Sequence, residues 1–312
     1  MRRSTLGLPT ALGVLALVGA ALAGRATAPT GAAAGVPYPA QVAPPDRVLT
    51  VSIGDREVGY RVLGQGEPLV LITGYAATID DWDPTLLAAL ADHYLVIAFD
   101  NRGIGRSTAP PGGFSIAQLT EDAAAFLDAL GLAPAHVLGY SMGGYIAQEL
   151  ALRYPERVRR LVLMSTACGG STGLPANAEA IRLIGAPDGD PAERAAQILG
   201  VLLPPEWVAQ NQAYLRAASA GPREHASADT IGQQEQAMAD WPGTCERLPQ
   251  LQLPALILVG TRDEVLPPAN AVILAERIPG AWLAQFTGGG HAMQLQYPRQ
   301  IAATIHTFLT AP

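Results

Sequence analysis

The feature that most constrains this chain is Gly139-Tyr140-Ser141-Met142-Gly143-Gly144. It lies between a short apolar run at 135–139 and a stretch at 145–152 whose apolar residues recur at helical spacing. Ser141 therefore falls at a strand-to-helix junction. A serine hydroxyl is a poor nucleophile unless a turn exposes it and a base takes its proton. Gly139 and Gly143 remove the Cβ atoms that would collide across so tight a turn, and strand-turn-helix is the context that gives Gly-x-Ser-x-Gly chemical meaning. The position also suits a serine that only caps the helix after it.

The rest of the chain supplies a sheet for that junction to sit on. Residues 47–53 and 56–63 alternate apolar with polar around Gly54-Asp55, which predicts a β-hairpin. A continuous apolar run at 69–72 reads as a central strand covered on both faces, with further strands at 94–99, 158–164, 255–259 and 282–286. Helices are predicted near 86–90 and over 116–130, 142–152, 269–278 and 297–309, with Ser115 capping the second and Gly131 ending it. Alternating strand and helix predicts an α/β fold with a mostly parallel eight-stranded sheet. Between about 169 and 245 the strands stop and helical segments at 192–203 and 207–217 take over, so a helical cap is expected after the sixth strand.

A serine nucleophile needs a base. Of five histidines, only His291 stands on a loop at the carboxyl end of a strand, behind Gly288-Gly289-Gly290. His93, His136, His225 and His306 fall in strands, cap or helix and read as structural. The base in turn needs a carboxylate, and Asp263, just past the strand at 255–259, stands in the chain order Ser, Asp, His. Glu264 competes for that role, and an ion pair with Arg262 is the plain alternative for Asp263. Two backbone N–H groups are expected to bind an oxyanion: that of Met142, next to the nucleophile, and that of Tyr75, on the loop Thr73-Gly74-Tyr75-Ala76 after the strand at 69–72. The Tyr75 ring is a candidate wall of the pocket.

Taken together, the elbow at 139–144, Asp100-Asn101-Arg102-Gly103-Ile104-Gly105-Arg106-Ser107, Gly260-Thr261-Arg262-Asp263 and Gly290-His291 resemble the α/β-hydrolase fold family over roughly 47–312. The resemblance implies an eight-stranded α/β-hydrolase sheet with helices on both faces, a helical cap after the sixth strand, and Ser141, Asp263 and His291 as catalytic triad. It implies that 100–107 is a structural turn near the site. The chain departs from its relatives where they carry His-Gly and this one has Thr73-Gly74, and where a small Gly often follows and this one has Ala76. It differs from the dehalogenases and epoxide hydrolases, which use an aspartate in place of Ser141.

Cys168 and Cys245 bracket the expected cap, so a disulfide between them would pin its two ends, with two buried thiols as the alternative. Within the cap, Leu199, Leu202, Leu203, Trp207, Tyr214 and Trp241 either line an apolar acyl pocket or simply pack; Met293 shares that ambiguity. Residues 1–23 carry Arg2-Arg3, an uncharged apolar stretch and Ala21-Leu22-Ala23, which is the pattern of a cleaved export signal, with an uncleaved membrane anchor as alternative. Residues 24–46 read as an Ala/Pro/Gly-rich tether. The formal net charge of −7 argues against a nucleic acid or an anionic membrane as partner. No metal or cofactor motif is present, and none is expected. The expected function is that of an exported serine hydrolase acting on small carboxylic esters. Amidase, lactonase, thioesterase or perhydrolase activity on the same residues, or a non-catalytic binding protein on this scaffold, are the alternatives.

Overall fold

The computed structural model describes residues 47–185, 191–218, 224 and 226–312. The expected export signal, the tether and His225 lie outside the described residues. The sheet has eight strands: β1 (Leu49–Ile53), β2 (Arg56–Leu63), β3 (Glu67–Ile72), β4 (Tyr94–Phe99), β5 (Ala135–Tyr140), β6 (Val158–Met164), β7 (Ala255–Gly260) and β8 (Trp282–Phe286). Their order is β1-β2-β4-β3-β5-β6-β7-β8. The β1–β2 and β2–β4 pairs are antiparallel and every other pair is parallel. Because β3, β5, β7 and β8 run the same way, the loops leaving their carboxyl ends gather along one rim, the side where open α/β sheets bind ligands.

Both faces of the sheet are covered, as the continuous apolar strands require. On one face α2 (Ile116–Ala129), α3 (Met142–Arg153) and α9 (Ala269–Arg277) bury Phe126, Ile146 and Leu274 against Val70, Val137 and Ile257. On the other, α1 (Pro84–Ala91) and α11 (Pro298–Thr310) bury Leu86, Leu90, Ile305 and Phe308 against Leu69, Leu71 and Leu256. Helix α2 starts where Ser115 predicts: its Oγ accepts from the Gln118 N–H at 3.2 Å while Gln118 reaches back to the Ser115 N–H at 3.0 Å.

Among the described residues, five α-helices lie between β6 and β7: α4 (Ala178–Gly185), α5 (Pro191–Leu202), α6 (Pro205–Gln210), α7 (Gln212–Ala218) and α8 (Ala228–Ala239). The segments expected at 192–203 and 207–217 correspond to α5 and to α6 with α7, which a break at Asn211 divides; α4 and α8 had no prediction. A short α10 (Met293–Gln296) precedes α11. Among the described residues no helix is long and apolar enough to cross a membrane.

Both ends of the cap are rooted on α3. A disulfide joins Cys168 to Cys245 with a Cα separation of 4.9 Å. Beside it the Thr244 N–H donates to the Cys168 carbonyl at 2.7 Å, and the fully buried Gln148 of α3 donates to the Ala167 carbonyl and accepts from the Thr244 hydroxyl. The bond closes a loop with a sequence separation of 77, for which chain entropy gives roughly 4–5 kcal/mol. Reducing the protein, or replacing both cysteines with serine, is expected to lower the urea midpoint by a corresponding amount. An equal midpoint for oxidised and reduced protein would show that the crosslink adds nothing.

Candidate active site

The strand-to-helix junction holds Ser141 in a conformation that side chains rarely adopt, φ 54° and ψ −121°. Its cause is the close approach of α3 to the sheet. A Cβ on Gly139 would come within 2.7 Å of the Ala147 Cβ, one on Gly143 within 2.6 Å of the Thr73 carbonyl oxygen, and one on Gly144 within 2.6 Å of Thr166 Cβ. Only glycine at these positions lets the helix start so near β3 and β5. Ser141 makes no side-chain cap to α3, so the reading of this serine as a helix cap fails. Its hydroxyl is instead left to face the rim.

His291 meets that hydroxyl. Its Nε2 lies 3.0 Å from Ser141 Oγ, and its Nδ1 lies 2.8 Å from Asp263 Oδ2. The second Asp263 oxygen accepts from the N–H groups of Val265 and Leu266, each at 2.9 Å. The carboxylate is thus held by two backbone donors on one oxygen and offers the other to the imidazole. Asp263 and His291 are buried, whereas Ser141 keeps partial exposure. Neither competing arrangement for Asp263 occurs: Glu264 is exposed, and Arg262 pairs with Glu206 of α6. The other described histidines bond elsewhere, His136 to Glu67 and His306 to Tyr94, with His93 stacked on His306.

The loop after β3 runs beside the serine. A Cβ on Gly74 would stand 3.1 Å from Ser141 Cβ, so its backbone passes directly over the nucleophile. The Met142 N–H is the first of α3 and has no intrahelical acceptor. Tyr75 follows Gly74 on the loop that crosses the serine. The turn at 100–107 braces this loop from behind. Asn101 Nδ2 donates to both the carbonyl and the hydroxyl of Thr73 at 3.1 Å, and Asp100 accepts from the Ile79 N–H at 2.8 Å. Burial lifts the Asp100 carboxyl to about 6 despite that donor and the Arg106 N–H. Thr73 is therefore tied back to the turn.

With this geometry in view, the comparisons with known proteins decide the family. A model of the alpha/beta hydrolase fold matches residues 67–298. The chain belongs to the alpha/beta hydrolase family. It is 34% identical over 246 residues to a protein named as a carbamate hydrolase, RutD, of Azorhizobium caulinodans, covering 78% of this chain and 92% of that one. Among solved structures it is similar to the enol-lactonase of Burkholderia xenovorans LB400, with a TM-score of 0.72, 26% identity, and coverage of 84% of this chain and 100% of that one. It is also similar to the esterase RhEst1 of Rhodococcus sp. ECU1013, with a TM-score of 0.69, 29% identity, and coverage of 85% and 98%.

Within this alpha/beta hydrolase the cap residues divide. Leu199, Leu202, Leu203, Trp207 and Leu215 cluster on Ala292, next to His291, and the Ala292 N–H donates to the Leu202 carbonyl at 3.0 Å. Met293 is fully buried under β5 and β7, so it packs. Trp241 also packs: it stacks on Tyr145 at 4.3 Å and donates to Glu149 at 2.9 Å. Tyr214 bonds to Asp83 at the start of α1. The Tyr75 ring reaches toward the cap, where its hydroxyl donates to Glu235 at 2.5 Å; burial raises its pKa, and the Glu235 carboxylate adds to the shift. Its neighbour Gln234 accepts from the Ala76 N–H at 2.8 Å. Neither Gln234 nor Glu235 was singled out in the sequence. The signal available was Ile231, Gln234 and Met238 at helical spacing after Ser227, which puts a glutamine on an otherwise apolar face.

The strain at Ser141 makes a stability prediction. Ser141→Gly removes the Cβ at positive φ and is expected to raise stability by about 1 kcal/mol, the relief of strain less the added chain entropy. Ser141→Ala loses the same hydroxyl but keeps the Cβ and should show no such gain. Urea midpoints of the two variants and the native protein separate these cases; equal midpoints for Gly and Ala would mean the turn stores no strain.

Proposed function

We propose that the protein is an exported serine hydrolase that cleaves carboxylic esters through an acyl-serine intermediate. The observation that carries this reading is the continuous hydrogen-bond path from Ser141 Oγ through the His291 ring to Asp263. His291 Nε2 accepts the hydroxyl proton as Oγ bonds to the acyl carbon, and Asp263 steadies the imidazolium through Nδ1–H. The developing oxyanion is received by the N–H groups of Met142 and Tyr75. The proton on His291 then passes to the leaving alcohol as the carbon–oxygen bond breaks. A water repeats the sequence with His291 as base, releases the acid and returns the proton to Ser141.

The carbonyl carbon of a carbamate or a lactone can enter the same cycle, and the likeness to RutD and to the enol-lactonase supports testing both beside simple esters. The apolar cluster of α5 to α7 beside His291 supports an apolar acyl group. A fluorophosphonate probe is expected to label the native protein and not Ser141→Ala. With a chain-length series of aryl esters, Asp263→Asn should lower kcat by on the order of 10³–10⁴-fold. Turnover of an aryl carbamate in preference to the matched ester would move the assignment to carbamates. No labelling of folded protein would mark a binding protein on a hydrolase scaffold.

Export rests on residues 1–23, and a disulfide fits an oxidising compartment. The mass of the exported chain is expected to begin at Gly24. A chain retaining Met1 and recovered with membranes would establish the anchor instead.

A further inference from the structure

The cap and the oxyanion loop meet through two consecutive residues on each side. Gln234 of α8 takes the Ala76 N–H at 2.8 Å, and Glu235 takes the Tyr75 hydroxyl at 2.5 Å. Ala76 lies at φ 55°, a left-handed conformation that an alanine does not hold by preference. Gln234 is fully buried, and its Nε2 has no partner among the described residues. A buried amide that satisfies one end only is a poor stabiliser. What its satisfied end does is fix the backbone one residue from the Tyr75 N–H. The N-terminal turn of α8 is seated on the neighbouring structural turn as well, through Thr230 Oγ1 to the Gly103 carbonyl at 3.3 Å.

We infer that Gln234 is a positioning residue: by holding Ala76 in its left-handed conformation it aims the Tyr75 N–H at the oxyanion, so the cap must be docked for the loop to stabilise the transition state. The inference rests on the serine hydrolase reading above and assigns the cap a part in the chemical step besides enclosing substrate. When α8 lifts, both bonds break together, Ala76 relaxes to negative φ, and one of the two oxyanion donors turns away. The interaction matters only as negative charge builds on the carbonyl oxygen, so its loss falls on kcat and leaves KM nearly unchanged.

The test uses Gln234→Leu, which fills the same space without the acceptor. With an aryl ester, kcat is expected to fall by about ten-fold or more at unchanged KM, less than the loss of a whole donor. Fluorophosphonate labelling of Ser141 should slow in parallel, while the thermal midpoint stays close to that of the native protein. Tyr75→Phe, which removes the second bond, should move kcat in the same direction. Gln234→Glu covers the case in which the leucine variant does not fold. It keeps an acceptor oxygen for the Ala76 N–H, and ionisation strengthens that acceptor, so kcat should be rescued toward the native value, whereas Gln234→Met, which also lacks an acceptor, should lose it as Gln234→Leu does. Native kcat in folded Gln234→Leu or Gln234→Met, or a loss in Gln234→Glu as large as in those variants, overturns the inference. Native protein that neither labels nor turns over overturns the hydrolase reading instead, so the two failures are distinct.

Discussion

The whole site depends on how closely α3 is pressed against the sheet. Three glycines, at 139, 143 and 144, allow the helix axis to begin where any side chain would strike Thr73, Ala147 or Thr166. That proximity forces Ser141 into positive φ, at a strain on the order of 1–3 kcal/mol that only a well-packed surround can hold. The surround is the sheet itself, with Leu69, Leu71, Val137 and Leu161 essentially inaccessible on either side of the turn. The same contact pushes Gly143 against the end of β3, so the nucleophile and the start of the oxyanion loop are set by a single packing event. Thr166 adds a strut, donating from Oγ1 to the Ser141 carbonyl at 2.7 Å.

The functional side chains then differ in what fixes them. Ser141 and Asp263 are held by the sheet and by backbone N–H groups local to their own turns. His291 sits on a glycine loop that is steadied from two sides: Gly290 donates to Gln296 at 2.7 Å, and the next residue but one, Ala292, donates to the cap. The oxyanion loop is also shared, with Thr73 tied to the structural turn and Tyr75-Ala76 tied to α8. Interactions inside the sheet open only with global unfolding, whereas those to a helical insertion open with its own smaller unit. His291 and the Tyr75-Ala76 segment therefore both answer to the cap.

How far this was legible from the residues follows the range of the interactions involved. The strands at 56–63, 158–164 and 282–286 match their observed bounds, because alternation and apolar enrichment are local signals that the sheet accepts without distortion. The Ser, Asp and His positions could be placed because each is a loop residue just beyond a strand. The cap was read only in outline. Helices α4 and α8 are short or polar, and their faces make sense only once Tyr75 is known to rise between Gly185 and Glu235. The link from Ala76 to Gln234 spans a sequence separation of 158, and nothing near either residue announces it. Aromatic character alone makes Tyr75 and Trp241 pocket candidates, whereas the partner of each polar tip, Glu235 or Glu149, lies far along the chain and has no local signal.

The roots of the cap explain why a contact so far along the chain can be reproducible. The C-terminal end of α8 leads into Trp241, which is stacked on Tyr145 and bonded to Glu149, both on α3. Burial alone would raise the Glu149 carboxyl, but the hydrogen bonds from Arg247 and Trp241 outweigh it and hold the group below its ordinary range, so it stays ionised and paired. From Trp241 back to Gln234 is two turns of helix, about 10 Å. The latch thus lies close to the root on α3, whereas α5, α6 and α7 are tied separately, to Ala292, Arg262 and Asp83. Since α3 carries both the root and, at its first turn, the nucleophile, the cap measures its position from the same helix that fixes Ser141.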